Sequence, residues 1–471
     1  MAISRLRIQG FRGFAEARSI DFALPQKGRE GSGLTMVVGA NNSGKSTVME
    51  ALRAVGQREG LSFTEGRRNK GAGSRVELVS HSPNGVHKIL RSVAVGGSET
   101  EIEWGKGSKA DEIRIFSMPS RREFNPYFHN VSWSRNAYLA NDRLPNLRTD
   151  SYSNQLAARL FQIQANRKEF DTLLRRILDP VPDWVIEQAD QGQYYLKYSS
   201  GSHTHSSEGM GEGLVSLLFI VDALYDAGEA DTITIDEPEL SLHPAIQRRL
   251  MKLFRELSDT RQIIYATHSP YFVDPLALAN GATLVRVYKE SDACEIATLG
   301  DRSKAFIARQ LRNLNNPHVF GLDAREVFFL DGGIVLVEGQ EDVLILPLIA
   351  KQLDRAISGA VYGWGIGGAD NMEMFASILS ELGFKKVLGI LDSNRSRAVP
   401  DLQKKFPEFS FVALPADDIR DKDRIAERAA VQGVADSGGK LHERNAKAMS
   451  ELLDVVDSYF KPKKAPLRTG G

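Results

Sequence analysis

A glycine-framed loop constrains this chain more than any other feature. Gly39, Asn41, Asn42, Ser43, Gly44, Lys45 and Ser46 fall in the pattern G-x-x-x-x-G-K-[ST], with Thr47 next. An apolar run, Leu34 to Val38, leads in, and a helical pattern to about Val55 leads out. Strand, loop and helix in that order make a phosphate cradle. Glycines let the backbone wrap closely, so N–H groups point inward, and the helix N-terminus adds its dipole. Lys45 would reach the β- and γ-phosphates of ATP, and the Ser46 hydroxyl would ligate Mg²⁺.

A second buried-strand pattern, Asp231 to Ile235, ends in Asp236 and Glu237. Two acids after a strand also suit a helix N-cap. With a phosphate cradle upstream, Asp236 is expected in the Mg²⁺ shell and Glu237 beside the attacking water. His268 follows a third buried run, Gln262 to Ala266, and is expected near the γ-phosphate.

Around these motifs the chain alternates between helix and strand patterns. Residues 3–9 alternate apolar and polar, and three or four strand-like runs fill 75–117. Residues 118–150 read as loop, and 154–178 keep helical apolar spacing, a candidate dimerisation arm or inserted helical element. Strand patterns return at 183–198, and alternation to about 299 argues a parallel α/β sheet. After a helical connector at 303–314, a smaller unit begins near Gly333. It shows strand 334–337, helix 341–352, strand 360–364, helix 369–383 and strand 386–391. The expected division is a head over 1–315, a second domain over 325–435, and a C-terminal helix with a disordered basic tail over 436–471.

Composition narrows the setting. Sixty basic residues balance sixty acidic ones, so a DNA contact must be local. Short basic clusters at Arg67-Arg68-Asn69-Lys70 and Arg121-Arg122 are candidates, or simply solvated faces. One cysteine, Cys294, excludes an internal disulfide. No signal core and no run of 18 apolar residues occurs, which predicts a cytoplasmic protein with no membrane partner.

The cradle, Asp236-Glu-Pro-Glu-Leu-Ser-Leu-His-Pro and Ala266-Thr-His-Ser-Pro resemble ABC-type ATPases of the SMC/RecF and OLD (overcoming lysogenisation defect) group. The opening Leu6-Arg-Ile-Gln-Gly-Phe-Arg12-Gly-Phe is similar to that group's first strand and turn, and implies Arg12 near the nucleotide. The resemblance implies ATP sandwiched between two heads, hence a homodimer. The partner's signature loop would be Ser206 to Gly213, with Ser207 and Gly209 touching nucleotide. His268 resembles the group's switch histidine.

The second unit carries acids at strand ends: Glu338 after Val335-Leu-Val, and Asp392 after Leu388-Gly-Ile-Leu. Acids at the carboxyl ends of parallel strands converge in the usual ligand crevice and suit Mg²⁺ or Mn²⁺. The pattern resembles a Toprim domain, which follows an ABC head in OLD nucleases. The resemblance implies Glu338, Asp342 and Asp392 as metal ligands, with Glu338 and Asp392 catalytic, and Gly367-Gly368 as the glycine turn. Asn394 stands where the second acid of an Asp-x-Asp pair belongs. Asp417, Asp418 and Asp421 are candidates to supply it, and Lys422, Lys440 and Lys447 to complete the centre.

The fold expected is therefore α/β: a P-loop ABC-type head with a mixed sheet, then a smaller Toprim-like parallel domain. The expected function is ATP hydrolysis coupled to metal-dependent DNA cleavage in anti-phage defence. The alternative is an ATPase sensor or scaffold controlling a separate effector.

Overall fold

In the computed structural model of the protein, residues 2–57, 61–63, 65–71, 75–92, 99–107, 113–120, 151–165, 167–190, 192–200, 202–206, 211–229, 231–423 and 430–460 are described. The chain divides into two compact units, Met1–Thr298 and Leu299–Gly471. The helical connector read at 303–314 therefore belongs to the second unit, not to the head.

The first unit begins with a hairpin of β1 (Arg5–Gln9) and β2 (Arg18–Asp21). Then come β3 (Leu34–Val38), α1 (Lys45–Gly56), β4 (Glu77–Ser82), β5 (Gly85–Ser92), β6 (Thr100–Trp104) and β7 (Ile115–Met118). Helices α2 (Ser151–Ala165) and α3 (Lys168–Arg175) cover the helical stretch read from sequence. A small antiparallel sheet follows, of β8 (Asp183–Gln188), β9 (Tyr194–Ser200) and β10 (His203–Ser206). The unit closes with α4 (Glu212–Asp226), β11 (Thr232–Asp236), α5 (Pro244–Leu257), β12 (Gln262–Ala266), α6 (Pro275–Ala279), β13 (Thr283–Glu290) and β14 (Ala293–Thr298).

Two larger sheets hold the head together. One is antiparallel, in the order β2-β1-β4-β5-β6. The other runs β14-β13-β3-β12-β11-β7, parallel except at β14. Its strands β3, β11 and β12 are buried at every residue, as strands covered on both faces must be. Val48, Leu52 and Val55 of α1 join one core with Leu78 and Leu90 from the first sheet and Ile264 and Val285 from the second. The helix that leaves the phosphate loop is thus clamped along its length.

The second unit is a four-stranded parallel sheet, ordered β16-β15-β17-β18. In chain order it contains α7 (Asp301–Gln310), α8 (Leu322–Glu326), β15 (Ile334–Leu336), α9 (Gln340–Gln352), β16 (Ala360–Val361), α10 (Met372–Glu381), β17 (Val387–Leu391), α11 (Val399–Lys405), β18 (Ser410–Ala413) and α12 (Glu443–Phe460). The strand read at 360–364 stops at Val361. Gly363 (φ 42°) and Gly365 (φ 87°) turn the chain away, and a Cβ on Gly365 would lie 2.7 Å from the Gly339 carbonyl carbon. Met449, Leu452 and Val456 of α12 pack into the same core as Val335, Leu346 and Leu388. The tail read as disordered, 461–471, lies outside the described residues.

Candidate functional site

The phosphate loop leaves β3 at Gly39, whose φ is 143° and where a Cβ would lie 2.1 Å from the Val287 carbonyl oxygen. Only glycine lets β3 and β13 pair so closely at this turn. Asn41 and Asn42 stand exposed, Asn42 with φ 59°; Ser43 and Thr47 are buried. Gly44, at φ 114°, opens α1. The buried Lys45 ammonium donates to the carbonyls of Gly39 (2.9 Å) and Ala40 (2.8 Å), lying across its own loop. Phosphate oxygens arriving there would replace those carbonyls as acceptors.

Ser46 and the buried Asp236 border one cavity of about 250 Å³, with Arg12, Glu50, Arg67 and Ser117. A hydroxyl beside a buried carboxylate is a hard-oxygen pair that fits Mg²⁺. Arg12, in the left-handed region at φ 49°, faces this cavity and pairs with Glu50 at 2.6 Å. Arg67 holds the other Glu50 oxygen at 3.2 Å, and Arg68 donates to the Phe63 carbonyl. The 67–70 basic cluster is thus partly built into the head. The Arg121-Arg122 cluster lies outside the described residues, as do Ser207 and Gly209.

Glu237 follows Asp236 in a left-handed conformation (φ 52°), its N–H donating to the Ala266 carbonyl at 2.8 Å. That bond joins the ends of β11 and β12 and brings Glu237 Oε1 within 3.8 Å of His268 Nε2. Partial burial lowers the His268 pKa, the Lys45 charge lowers it further, and Glu237 opposes both. Glu239 holds the histidine loop from below. Its carboxylate accepts from Thr267 Oγ1 at 2.8 Å and from the His268 N–H at 2.6 Å, while burial pushes its pKa up.

In the second unit Glu338 and Asp392 follow β15 and β17, and the Asp392 N–H donates to Glu338 Oε1 at 2.9 Å. Asp342 starts α9, its Oδ2 accepting from the Gly339 N–H at 2.8 Å. The glycine turn backs this site: the Gly368 N–H donates to the Glu338 carbonyl. Burial pushes the Asp392 carboxyl up to about 8, helped by the charges of Glu338, Asp342 and Asp418. Burial likewise takes Asp342 up to about 6, against the Gly339 N–H. Glu338 is raised by burial and lowered by the Asp392 N–H and by Arg395. Ionising these half-buried acids together is unfavourable, and a cation beside them would offset that cost. Among the described residues, however, no three such side chains already converge as a finished metal cage.

The downstream acids separate by role. Asp418 belongs to the cluster electrostatically and binds Lys422, which also meets Glu341 at 3.0 Å. Asp417 accepts from the Ser393 hydroxyl at 2.7 Å, and Asp421 from His442 and the Gly433 N–H. Asn394 is exposed and donates to the Asp417 carbonyl at 3.2 Å. Of the three candidate lysines, Lys440 and Lys447 are exposed.

Comparison with known proteins places the head. Residues 34–274 match the family model described as "AAA domain, putative AbiEii toxin, Type IV TA system", just over half of the 471 residues. The chain belongs to this AAA ATPase family. Residues 1–56 also match a second AAA domain model. The chain is 30% identical over 164 residues to an OLD nuclease from Thermus scotoductus, a match covering 34% of this chain. That match spans only 30% of the OLD nuclease's length. The chain is 23% identical over 333 residues to the Septu protein PtuA of Bacillus thuringiensis, covering 59% of this chain and 74% of PtuA. Among solved structures, an SMC head bound to the C-winged helix domain of ScpA is 16% identical with a TM-score of 0.43. The alignment covers 64% of this chain and 98% of that one. The Thermotoga maritima SMC head domain is 18% identical at 0.37, covering 64% and 100%. The AAA family match establishes an AAA-type ATPase head, and part of the chain is similar to an OLD nuclease. Among the described residues no helix is long and apolar enough to cross a membrane.

Two residues of this AAA head escaped the sequence reading. Glu239 lies inside the quoted acidic motif, but its role depends on Thr267 and His268. Glu50 is one turn beyond Ser46 on α1, and only the fold brings Arg12 and Arg67 to it. The spacing of Ser46 and Glu50 on one helix face was the available signal.

Proposed function

We propose that the chain is an OLD-type ATPase whose nucleotide state governs metal-dependent DNA cleavage at the acidic centre. One observation carries this reading. The Asp392 N–H donates to Glu338 Oε1 at 2.9 Å, so acids from the ends of β15 and β17 meet, and we take Asp418, which binds Lys422, as the acid that completes the centre in place of Asn394.

At the head, Lys45 would hold the β- and γ-phosphates while Ser46 and Asp236 keep Mg²⁺. Glu237 would take a proton from the water attacking the γ-phosphorus, and the bond from that phosphorus to the ADP oxygen breaks. His268, poised by Glu239, would sense the γ-phosphate. A second copy would cap the nucleotide through Ser207 and Gly209, making the working unit a homodimer. At the acidic centre, Glu338, Asp342, Asp392 and Asp418 would hold Mg²⁺ or Mn²⁺. When bound, such a metal would favour ionisation of a nearby water and offset charge on a phosphodiester. Lys422, whose carboxylate partners favour its protonated form, would add positive charge at the phosphate. The OLD resemblance suggests an anti-phage role in the cytoplasm.

Plasmid nicking by the pure protein with Mg²⁺ or Mn²⁺, with and without ATP, tests this. Cutting that disappears in Glu338→Ala is expected. ATP turnover without cleavage of any DNA or RNA would overturn the nuclease reading. One observation favours the alternative: Lys422 already neutralises part of the cluster by pairing with Asp418. In that reading the chain is an ATPase sensor or scaffold for a separate effector, which should co-purify with it.

A further inference from the structure

A second cavity, of about 310 Å³, lies in the same unit as the acidic centre. Its floor is apolar, made by the buried side chains of Met372, Leu391 and Leu402. Asp370, Arg395 and Asp401 stand on its wall. Two links tie it to the carboxylates. Leu391 immediately precedes Asp392 at the end of β17, and the backbone N–H of Ala369, another lining residue, bonds to Glu338. The cavity and the acidic cluster therefore share the carboxyl ends of β15 and β17.

Charge and shape together select an occupant. The 3-10 turn Ser393–Ala398 and α11 carry Arg395, Arg397, Lys404 and Lys405 against Asp401, with Lys405 paired to Glu373, another lining residue. This basic strip starts directly after Asp392 and suits the phosphates of a strand entering the acidic centre. Arg395 is half exposed and only 3.4 Å from Asp370. The flat apolar faces of a nucleobase match the Met and Leu floor. Its ring N–H and amino groups match carboxylate acceptors such as Asp370 and Asp401. At about 310 Å³ the cavity lies at the small end of the roughly 300–1,000 Å³ range of ligand pockets, which suits a single small planar group. A base inside a duplex is stacked and paired, and entry requires that it be unpaired.

We propose that this cavity holds one unpaired nucleobase of the nucleic-acid strand whose backbone crosses the acidic centre, an inference that rests on the nuclease reading of that centre. The substrate is then single-stranded, or a duplex opened at the cleavage point.

The test uses the full chain with Ca²⁺ in place of Mg²⁺, and labelled DNA as single strand and as blunt duplex of the same sequence. Fluorescence anisotropy should show at least tenfold tighter binding of the single strand. Ala398→Trp, which fills the cavity from an exposed lining position, should remove most of that preference while ATP turnover is kept; Ala398→Ser should preserve it. A second readout needs no variant: 2-aminopurine, moved position by position along the strand, should respond strongly at one position and weakly at its neighbours. Equal affinity for single strand and duplex, or a uniform 2-aminopurine response, overturns the proposal. The two readings fail separately. Cutting that needs Glu338, with binding untouched in folded Ala398→Trp, keeps the nuclease and sinks the base site. Strand preference that Ala398→Trp removes, with no cutting by any form, keeps the base site and sinks the nuclease.

Discussion

The Glu239 carboxylate accepts a 2.6 Å hydrogen bond from the backbone N–H of His268, and so ties the loop after β12 to the loop after β11. Its other oxygen takes the Thr267 hydroxyl. The histidine that lies 3.8 Å from Glu237 is therefore held by a carboxylate of the preceding loop. Charge-assisted hydrogen bonds contribute about 1.5–3 kcal/mol each, so losing this pair lets the histidine loop move. Glu239→Ala should lower kcat for ATP by at least about tenfold while changing ATP affinity only slightly. Steady-state turnover alongside nucleotide titration separates the two effects, and an equal loss in both would show that Glu239 serves binding instead.

Lys45→Ala and Glu237→Gln should part binding from chemistry. The lysine lies across the cradle, and without it ATP binding and turnover should both disappear. The glutamine variant keeps Asp236 for the metal but cannot take the water's proton, so it should bind ATP and stall. A more persistent ATP-bound dimer by light scattering is expected of Glu237→Gln. Normal turnover in that variant would move the base elsewhere.

On the proposed reading, Asp418 rather than position 394 completes the acidic centre. Asn394 is exposed and spends its amide on the Asp417 carbonyl, whereas Asp418 acts on Asp392 and Asp342. Restoring the acid by Asn394→Asp should therefore change metal-dependent nicking little. Asp418→Asn should reduce it at least about a hundredfold, because one anionic oxygen donor leaves the cluster. A large gain from Asn394→Asp in a plasmid assay would return the second acid to position 394.

What could be read in the sequence follows from distance along the chain. The cradle, Asp236 and Glu237 are each a few consecutive residues between a strand and a helix, so local pattern was sufficient. The parallel order of β15 and β17 could be inferred from alternation, and with it the meeting of Glu338 and Asp392. The contacts of Lys422 with Asp418 and Glu341 could not, because they depend on the fold, as its backbone pairing with Val431 does. The strand expected to run to residue 364 was cut short by positive φ at two glycines, which apolar periodicity does not register.

Lys88 makes a prediction that concerns stability rather than chemistry. Its side chain is fully buried on β5; its ammonium donates to the Gln57 carbonyl and lies 5.0 Å from the centre of the Trp104 ring. Burial lowers its pKa from the ordinary 10.5 to about 8. Below about pH 8 both folded and unfolded chains hold the proton, and the folded state bears the full cost of a buried charge. Between about pH 8 and 10.5 the unfolded chain binds a proton that the folded chain has released, so stability rises with pH in this window. The burial cost below it is on the order of 3 kcal/mol, from the size of the shift. Lys88→Met keeps the unbranched stem and removes the charge. It should raise the stability of the head by about 1–3 kcal/mol at pH 7 and flatten the rise above pH 8. Urea unfolding at a series of pH values measures both effects. A variant that keeps the natural slope between pH 8 and 10.5 would show that Lys88 is not the group titrating there.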